Sequence, residues 1–374
     1  MALTQLQINH VRNLHHVRLD NLQRVNVFFG CNGSGKTSLL ESIHLLGMAR
    51  SFRGNSIKSL ITHSAQQCTV FGSISPRSTQ QGRSPGSGLP LGVQRNRSGA
   101  AQIKLGGKLV RSVAELAEQL PLQVLTTESF DLLTGAPGAR RQFLDWGVFH
   151  VEQRFFEQWQ RFQRGIKQRN NLLRRGKIRD QELAVWTRDL VETGTSINEY
   201  RKRYFQALAV RFRDIIATLA PSLGALELRY RQGWDRQLSY SDALEQGLSG
   251  DLEQGYTRCG PQRADIRVML DGHVAADTLS RGQQKLVVCA LKLAQGQLMS
   301  QLERGQCTYL VDDLPSELDR EHCELVCRLL ASMDAQVFIT CIDQQEISSV
   351  WPETSELAMF HVEQGSVQHH PHPR

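Results

Sequence analysis

Alternation of apolar and polar residues marks several short strands along this chain. Leu6-Gln7-Ile8 and Val17-Arg18-Leu19 predict two strands joined by a polar turn, and Val25–Phe29 is an apolar segment of strand length. Further segments of this kind are 67–75, 103–105, 108–110, 226–230 and 266–270. Glycines 106 and 107 separate two of them and predict a hairpin turn. The ends of the chain are therefore expected to contribute sheets.

A helical spacing of apolar residues governs the middle of the chain. From Ser112-x-x-Glu115, which has the form of a helix capping box, to about residue 220 the pattern is mainly helical. Apolar residues recur at three- and four-residue steps over 181–220, with one break near Gly194. A segment of that length would reach about 60 Å, which predicts a long arm or a helical hairpin.

These patterns predict an α/β fold in which a mainly helical arm interrupts a head. The head is expected from residues 1–111 and 255–365, the inserted arm from 112–254, and a flexible tail from 366–374. Residues 76–90 are rich in Ser, Gly, Pro, Gln and Arg, which predicts a loop or a disordered insertion.

A glycine-rich loop follows the strand at Val25–Phe29. It reads Gly30-Cys31-Asn32-Gly33-Ser34-Gly35-Lys36-Thr37 and fits the phosphate-loop pattern G-x-x-x-x-G-K-[ST]. The next apolar residues have helical spacing, and Gly47 is expected to end that helix. A strand, a glycine loop and a helix in this order direct backbone N–H groups at a phosphate. Lys36 is then expected to reach the β- and γ-phosphates and Thr37 to ligate Mg²⁺.

A second candidate segment is an apolar strand at 307–311 that ends in Asp312 and Asp313. In phosphate-loop folds an acid at the end of a neighbouring strand holds Mg²⁺, and we assign this role to Asp312. Asp313 then stands where a general base could orient the attacking water. Together with Lys36 it forms the predicted catalytic pair.

Leu279-Ser280-Arg281-Gly282-Gln283 resembles the signature motif of ABC-type ATPases, and 316–319 resembles their D-loop. An ordinary helix with a serine cap would also give the first pattern. In the ABC superfamily two heads stack head to tail, so the resemblance places Ser280 and Gly282 against the nucleotide of a second chain. It therefore implies that ATP holds a homodimer together.

The complete pattern resembles the RecF family, bacterial recombination-mediator ATPases of the ABC/SMC-like group. The segments that carry this resemblance span residues 3–365 and include Val11–Leu14, Glu41–Ile43, Arg50–Arg53, Gly135–Pro137, Arg140–Asp145 and Gly260–Arg263. The resemblance implies an ATP-dependent dimer that binds single-stranded, gapped or junction DNA. It also implies help in loading RecA on strands coated by single-strand-binding protein, together with RecR, and a part in the SOS response.

The chain departs from related patterns in two places. The family usually has Gly-Pro-His-Arg-Asp where this chain has Gln262 and Ala264, which puts a polar contact in question. Transporter ATPases have a switch histidine where Thr340-Cys341 follows the last core strand. Without that imidazole we expect a weak, DNA-stimulated ATPase.

The charge of the chain points to a polyanionic partner. The formal net charge is +7, and no acid occurs from 161 to 179. The cations of that segment are candidate DNA contacts: Arg161, Arg164, Lys167, Arg169, Arg174, Arg175, Lys177 and Arg179. For Arg50 and Arg53 two roles are open, contact with nucleotide or DNA and a solvated helix end.

The remaining composition indicates a cytoplasmic protein. No apolar run approaches the ~20 residues that span a bilayer, and the amino terminus lacks a secretory segment. The eight cysteines are scattered, which favours reduced, buried thiols.

An ABC transporter subunit and a structural adaptor that binds ATP without hydrolysing it are the alternative functions. Glu128 is the candidate for the Q-loop role.

Overall fold

The computed structural model describes residues 2–54, 56–75, 88–175, 180–301, 306–333, 335–354 and 357–370. They group into two compact units. The first, here called the head, comprises residues 1–129 and 285–374, and the second, the insertion, comprises residues 130–284. No helix within these ranges is both long enough and apolar enough to cross a membrane.

One sheet of the head is antiparallel and has the strand order β2-β1-β4-β5-β6-β7. Its strands are β1 (Ala2–Val11), β2 (Leu14–Asp20), β4 (Gln67–Ser75), β5 (Leu89–Asn96), β6 (Ala101–Leu105) and β7 (Lys108–Val110). The turn between β6 and β7 has positive φ at Gly106 and Gly107, which confirms the predicted hairpin. Residues 76–87 of the predicted loop lie outside the described ranges, but Leu89 and Pro90 already belong to β5.

The second sheet of the head has the order β15-β14-β3-β13-β12-β8. Its strands are β3 (Val25–Phe29), β8 (Leu122–Leu125), β12 (Thr308–Val311), β13 (Gln336–Cys341), β14 (Leu357–Glu363) and β15 (Ser366–His370). All neighbours are parallel except β14 and β15. All of these strands except the largely exposed β15 are mostly apolar and buried, because a parallel sheet is covered on both faces. The carboxyl ends of β3, β13 and β12 meet at one edge.

The head helices are α1 (Lys36–Met48), α2 (Ile57–Leu60), α3 (Val113–Gln119), α12 (Leu314–Glu317), α13 (Arg320–Ser332) and α14 (Gln344–Ser348). Helix α1 is almost wholly buried. The expectation that Gly47 ends it is wrong, since the helix ends at Met48 and Ala49 takes the left-handed cap conformation. A Cβ at position 47 would lie 2.6 Å from Leu122 Cδ1, so this glycine permits close packing instead.

The insertion is built on a helical hairpin. Its helices are α4 (Asp131–Thr134), α5 (Pro137–Val151), α6 (Phe155–Arg175), α7 (Asp180–Leu219), α8 (Tyr240–Gln246), α9 (Leu248–Gln254) and α10 (Ala275–Thr278). Helix α7 has 40 residues and packs against α6, which confirms the long arm. It continues through Gly194, where the spacing of apolar residues is interrupted. A Cβ there would lie 2.4 Å from Tyr240 Cε1, which explains the glycine.

A small antiparallel sheet of order β11-β10-β9 completes the insertion. Its strands are β9 (Leu226–Arg231), β10 (Asp265–Leu270) and β11 (His273–Val274). The turn at Asp271 and Gly272 joins the last two with positive φ at both residues. Helix α11 (Arg281–Gln301) follows, and its residues through Gln284 group with the insertion.

The unit boundaries differ from those expected from the sequence. Residues 112–129 group with the head because α3 packs against α1 and β8 pairs with β12. Residues 255–284 group with the insertion because β10 pairs with β9. Ser366–His370, expected in a flexible tail, forms β15 along β14, whereas 371–374 lie outside the described ranges.

Candidate nucleotide site

A cavity of about 640 Å³ opens in the head where β3, β13 and β12 end. Its lining includes Asn32, Gly33, Gly35, Lys36, Thr37, Asp312, Asp313 and Thr340. Two segments that are far apart in sequence therefore meet in one site. Gly30, Cys31 and Ser34 of the phosphate loop do not line the cavity, although they shape the loop.

The phosphate loop has a backbone that only glycine accommodates at two points. Gly30 has φ 147° and lies so close to the Val362 carbonyl oxygen that a Cβ would be 2.2 Å from it. Gly35 has φ 121° directly before α1. The buried Lys36 ammonium donates to the carbonyl oxygens of Gly30 at 2.6 Å and Cys31 at 2.9 Å. The loop is thus closed around the lysine.

Asp312 is held directly beside the first turn of α1. The Thr37 hydroxyl donates to both carboxylate oxygens of Asp312, at 3.0 and 3.1 Å. Burial raises the pKa of Asp312, while hydrogen bonds from Thr340 and Thr37 oppose this rise and the nearby charge of Asp313 adds to it. A bound cation would offset the burial of this charge.

Thr340 is the second-last residue of β13, the strand that separates the two predicted halves of the site. Strand β13 lies between β3 and β12, so Asp312 does not follow the strand next to the phosphate loop. The Thr340 hydroxyl donates to Asp312 Oδ1 at 2.8 Å and accepts from the Asp313 backbone N–H at 2.8 Å. The sequence marked Thr340 only as the residue in place of a histidine and missed this contact.

Asp313 adopts a strained backbone conformation with φ 52°. Its Oδ1 is buried and has no hydrogen-bond partner, and the same is true of the Ser34 hydroxyl oxygen. Buried polar atoms without partners are rare and often mark the place of a water, ion or ligand. Because Asp313 lines the cavity, its free oxygen marks a place for a water or an ion there, whereas Ser34 does not line it.

The donor atoms present suit Mg²⁺. A threonine hydroxyl and an aspartate carboxylate are hard oxygen ligands of the kind that Mg²⁺ prefers. Within the described ranges no cluster of three or more His, Cys, Asp or Glu side chains could hold a metal by itself. An ion here would need further oxygens, which nucleotide phosphates and water supply.

The turn between β1 and β2 contributes Arg12 and Asn13 to the lining, for which the sequence predicts no role. The Asn13 amide donates to the Gly33 carbonyl at 3.3 Å and accepts from the Ser38 hydroxyl at 2.9 Å. The Arg12 guanidinium forms two bonds of 2.8 Å to the fully buried carboxylate of Glu41. This turn therefore braces the phosphate loop.

Cations surround the mouth of the cavity. Arg53, Lys58 and Arg97 line it. The guanidinium of Arg97 donates to the Thr62, His63 and Ala65 carbonyls, whereas Arg53 is exposed. Of the two arginines left open by the sequence, Arg53 lines the cavity and Arg50 does not. The Arg50 carbonyl instead bonds the buried ring of His44, whose pKa burial lowers to about 4.

Ser280 caps the amino terminus of α11 and is exposed to solvent. Its backbone N–H donates to Gln283 Oε1 at 2.9 Å, and its hydroxyl accepts from the Gln283 N–H at 3.4 Å. Gly282 is also exposed, and no atom lies within 4 Å of a Cβ built there. The signature motif thus forms a capped helix start with an open surface.

The D-loop segment is fixed within the head. Glu317 forms a 2.7 Å ion pair with Lys285 and accepts from the Thr127 hydroxyl at 2.8 Å. These hydrogen bonds outweigh the effect of burial and lower the pKa of Glu317. Glu128, proposed for the Q-loop role, is exposed and does not line the cavity.

The structure divides the basic segment 161–179. Arg169 is 1% exposed and bonds Asp251 at 2.7 Å and Thr257 at 2.6 Å, so its assignment as a DNA contact is wrong. Arg161 bonds Asp189 at 2.7 Å. The exposed cations are Arg164, Lys167, Arg174 and Arg175, whereas Lys177 and Arg179 lie outside the described ranges.

At the departure from the family pattern, Gln262 donates to the Cys259 carbonyl at 2.9 Å. Ala264 is buried, and the neighbouring Asp265 forms a 2.7 Å ion pair with Arg140. An acid–arginine contact is thus present one residue further along the chain.

Sequence comparison supports one family over the whole chain. A family model described as the RecF/RecN/SMC N terminal domain matches residues 2–368. A protein named DNA replication and repair protein RecF from Pseudomonas syringae pv. tomato is 50% identical over 373 residues, which is all of both chains. A protein of the same name from Stutzerimonas stutzeri is 50% identical over 98% of this chain and 97% of its own.

Solved structures share the fold. The recombination mediator protein RecF with ATP, of the RecFOR pathway, matches with a TM-score of 0.84 at 22% identity and covers 99% of this chain and 97% of its own. An Smc head bound to the C-winged helix domain of ScpA matches with a TM-score of 0.58 at 13% identity, covering 99% and 97%. These matches confirm the expected α/β head of ABC type with an inserted helical unit.

Proposed function

Because this chain belongs to the RecF family, within the RecF/RecN/SMC group, we propose that it is an ATP-binding protein of DNA replication and recombinational repair. Relatives half identical over their full length carry the name DNA replication and repair protein. The observation that supports ATP most directly is the cavity at which the phosphate loop, Asp312 and Asp313 converge. Membership of this family also disfavours the transporter alternative.

The residues of the cavity have distinct roles in this proposal. The backbone N–H groups of the phosphate loop and the Lys36 ammonium bind the phosphates. Thr37 and Asp312 hold Mg²⁺, which when bound neutralises phosphate charge. Asp313, whose Oδ1 is buried and has no partner, orients the attacking water and accepts its proton. Thr340 bonds the Asp312 carboxylate and the Asp313 backbone N–H but, unlike a histidine, cannot take up a proton, which accords with slow, DNA-stimulated hydrolysis.

The site is completed by a second chain. Ser280 and Gly282 are exposed at a capped helix start, where a hydroxyl and backbone N–H groups are available to an anion. We place them against the γ-phosphate held by a partner, so that ATP links a homodimer. The dimer closes on single-stranded, gapped or junction DNA, with the exposed cations of α6 on the phosphate backbone. By family resemblance it assists RecA loading with RecR and the SOS response.

Sedimentation with and without ATP, combined with DNA titration, tests this function. ATP is expected to convert monomer to dimer and to raise DNA affinity. Lys36→Met should abolish both effects because the phosphates lose their lysine, whereas Lys108→Met, at an exposed lysine that does not line the cavity, is the matched control. Ser280→Arg should preserve ATP binding and prevent dimerisation, and Ser332→Arg adds the same bulk at another exposed helix end. A wild-type protein that stays monomeric with ATP and gains no DNA affinity would contradict the proposal.

Turnover separates this function from that of a structural adaptor. DNA should stimulate ATP hydrolysis, and Asp313→Asn should remove turnover while ATP still binds. An adaptor would bind ATP without DNA-stimulated turnover, and Asp313→Asn would then change nothing.

A further inference from the structure

The insertion contains a second cavity, of about 260 Å³, that the nucleotide site does not use. We call it the insertion pocket. Residues of α5, α6, α7 and the short 3-10 helix Pro261–Arg263 line it. Those used here are Arg141, Gln142, Trp159, Gln163 and Gln262.

The two arginines that line the insertion pocket differ in how many of their N–H groups are hydrogen-bonded. Arg201 directs two nitrogens at Asp145, at 2.7 and 2.9 Å, and a third at the Pro261 carbonyl at 2.7 Å. Among the described residues Arg141 makes one hydrogen bond, 3.0 Å to the Ala264 carbonyl, and no ion pair. Burial, followed by the charge of Arg201, lowers the pKa of Arg141. Arg141 is therefore a partly desolvated cation with unused donors at the cavity.

The rest of the pocket lining includes an aromatic ring and several side-chain amides. Trp159 is half-buried and stacks on no other described ring. Gln142 and Gln163 are exposed at the lining and have no hydrogen-bond partner in the described structure. Gln262 Oε1 is buried without a partner. A planar ligand that both donates and accepts hydrogen bonds would satisfy these groups.

Arg141 carries the uncompensated positive charge of the pocket, because the Asp145 carboxylate that also lines it is paired with Arg201. A ligand here must therefore offer hydrogen-bond acceptors to this guanidinium. A nucleobase presents a π-face, donors and acceptors, and no charge. Arginine and glutamine are the side chains that most often read base edges, and aromatic rings stack on unpaired bases.

The surface of α6 continues from the pocket to a cation. Trp159, Gln163 and Lys167 follow one another at four-residue steps and so lie on one face of this helix. Four residues advance a helix by about 6 Å. An exposed ammonium is thus placed to meet the phosphate of a nucleotide whose base occupies the pocket.

We propose that the insertion pocket receives one unstacked nucleobase of single-stranded DNA, which stacks on Trp159 and bonds Arg141 and the glutamine amides, while Lys167 contacts the adjoining phosphate. This inference rests on the proposed DNA-binding function and assigns it a site. It explains how a clamp could prefer unpaired to duplex DNA, because bases within a duplex are already stacked and cannot enter.

An abasic strand isolates the contribution of the base. The affinity of the full chain is measured for an oligothymidylate about 12 nucleotides long and for an abasic oligomer of equal length. Wild type should bind the strand with bases more tightly. Trp159→Ala should weaken that binding about tenfold and leave abasic binding unchanged. Trp159→Phe should retain most of the difference, and Gln168→Ala, exposed on the same helix, should retain all of it.

The outcomes separate the pocket from the function on which it rests. If wild type binds both strands and Trp159→Ala weakens neither, or weakens both equally, the pocket serves another purpose, such as docking a protein, and the inference is overturned. If wild type binds neither strand, the DNA-binding function and the pocket both fail. If Trp159→Ala lowers the melting temperature, the same comparison is made with Gln142→Ala, because Gln142 is exposed.

Discussion

The Thr340 hydroxyl donates to Asp312 Oδ1 at 2.8 Å, and the Thr340 hydroxyl oxygen accepts from the Asp313 backbone N–H at 2.8 Å. One buried side chain thus fixes the proposed metal ligand and the proposed general base together. This is possible because β13 lies between the strands that carry the phosphate loop and the two acids. Thr340, which stands where transporter ATPases have a switch histidine, therefore acts as a positioning residue in this proposal.

Replacing Thr340 with valine tests this arrangement. The shape is kept, but the Asp313 N–H loses its acceptor, which should lower the free energy of unfolding by about 1–3 kcal/mol. ATP hydrolysis should fall by about tenfold or more because both carboxylates lose their alignment. Urea unfolding and steady-state turnover measure the two effects. Thr340→Ser keeps the hydroxyl and should stay near wild type; equal losses in both variants would show that the methyl group matters instead.

The raised pKa of Asp312 predicts a pH dependence of Mg²⁺ binding. Burial is the main cause of the rise, so the carboxyl becomes neutral at a higher pH than an ordinary aspartate. Mg²⁺-dependent ATP affinity should therefore decrease on acidification before exposed aspartates are protonated. Isothermal titration with ATP across acidic pH, with and without Mg²⁺, measures this. Asp312→Asn should bind ATP with little dependence on Mg²⁺ or on pH in that range.

The sign is opposite for the stability of the protein without nucleotide. The folded state binds the Asp312 proton more tightly than the unfolded state does. The Asp312 carboxyl therefore contributes most to the free energy of unfolding below its unfolded pKa. That contribution is lost as pH rises through the raised folded pKa. The unfolding free energy of wild type minus that of Asp312→Asn should therefore decrease as pH rises through this range.

The buried pair Arg169–Asp251 and the exposed Arg164 should respond differently to substitution. Arg169→Leu removes the buried cation from Asp251 and leaves it only the Arg258 backbone N–H at 3.0 Å and the half-exposed Arg258 guanidinium at 3.5 Å, so it should cost about 3–5 kcal/mol of stability. Arg164→Ala should leave the melting temperature nearly unchanged. It should reduce the slope of logarithmic DNA affinity against logarithmic salt concentration by about one if the side chain contacts a phosphate. A salt slope unaffected by both Arg164→Ala and Lys167→Ala would place DNA elsewhere.

The sequence predicts features of this fold that depend on a few adjacent residues. The phosphate loop is of this kind, because Gly30 and Gly35 allow its backbone and Lys36 closes it from within. The hairpin at Gly106 and Gly107 is predictable for the same reason.

Features that depend on distant pairing could not be predicted from the sequence. The place of β13 in the sheet, and hence the contact of Thr340 with Asp312, follows from strand order rather than from local pattern. Arg169 has the same chemistry as its exposed neighbours, and its burial depends on its partners Asp251 and Thr257, which are distant in sequence. Gly47 is typical of a helix end, yet the approach of Leu122 accounts for it.

Substitutions at two glycines of helix α11 should distinguish the effect of internal packing from the effect of the proposed dimer interface. A Cβ at Gly296 would lie 1.9 Å from Tyr309 Oη, so Gly296→Ala should lower the free energy of unfolding by about 1–3 kcal/mol. A Cβ at Gly282 would meet nothing within 4 Å, so Gly282→Ala should stabilise the helix by up to ~1 kcal/mol. The proposed interface adds a second effect for Gly282, since the methyl group stands where a partner's nucleotide approaches. Thermal unfolding and sedimentation with ATP should then give a variant that is more stable than wild type but dimerises less. Unimpaired dimerisation of Gly282→Ala would show that this surface does not meet the partner.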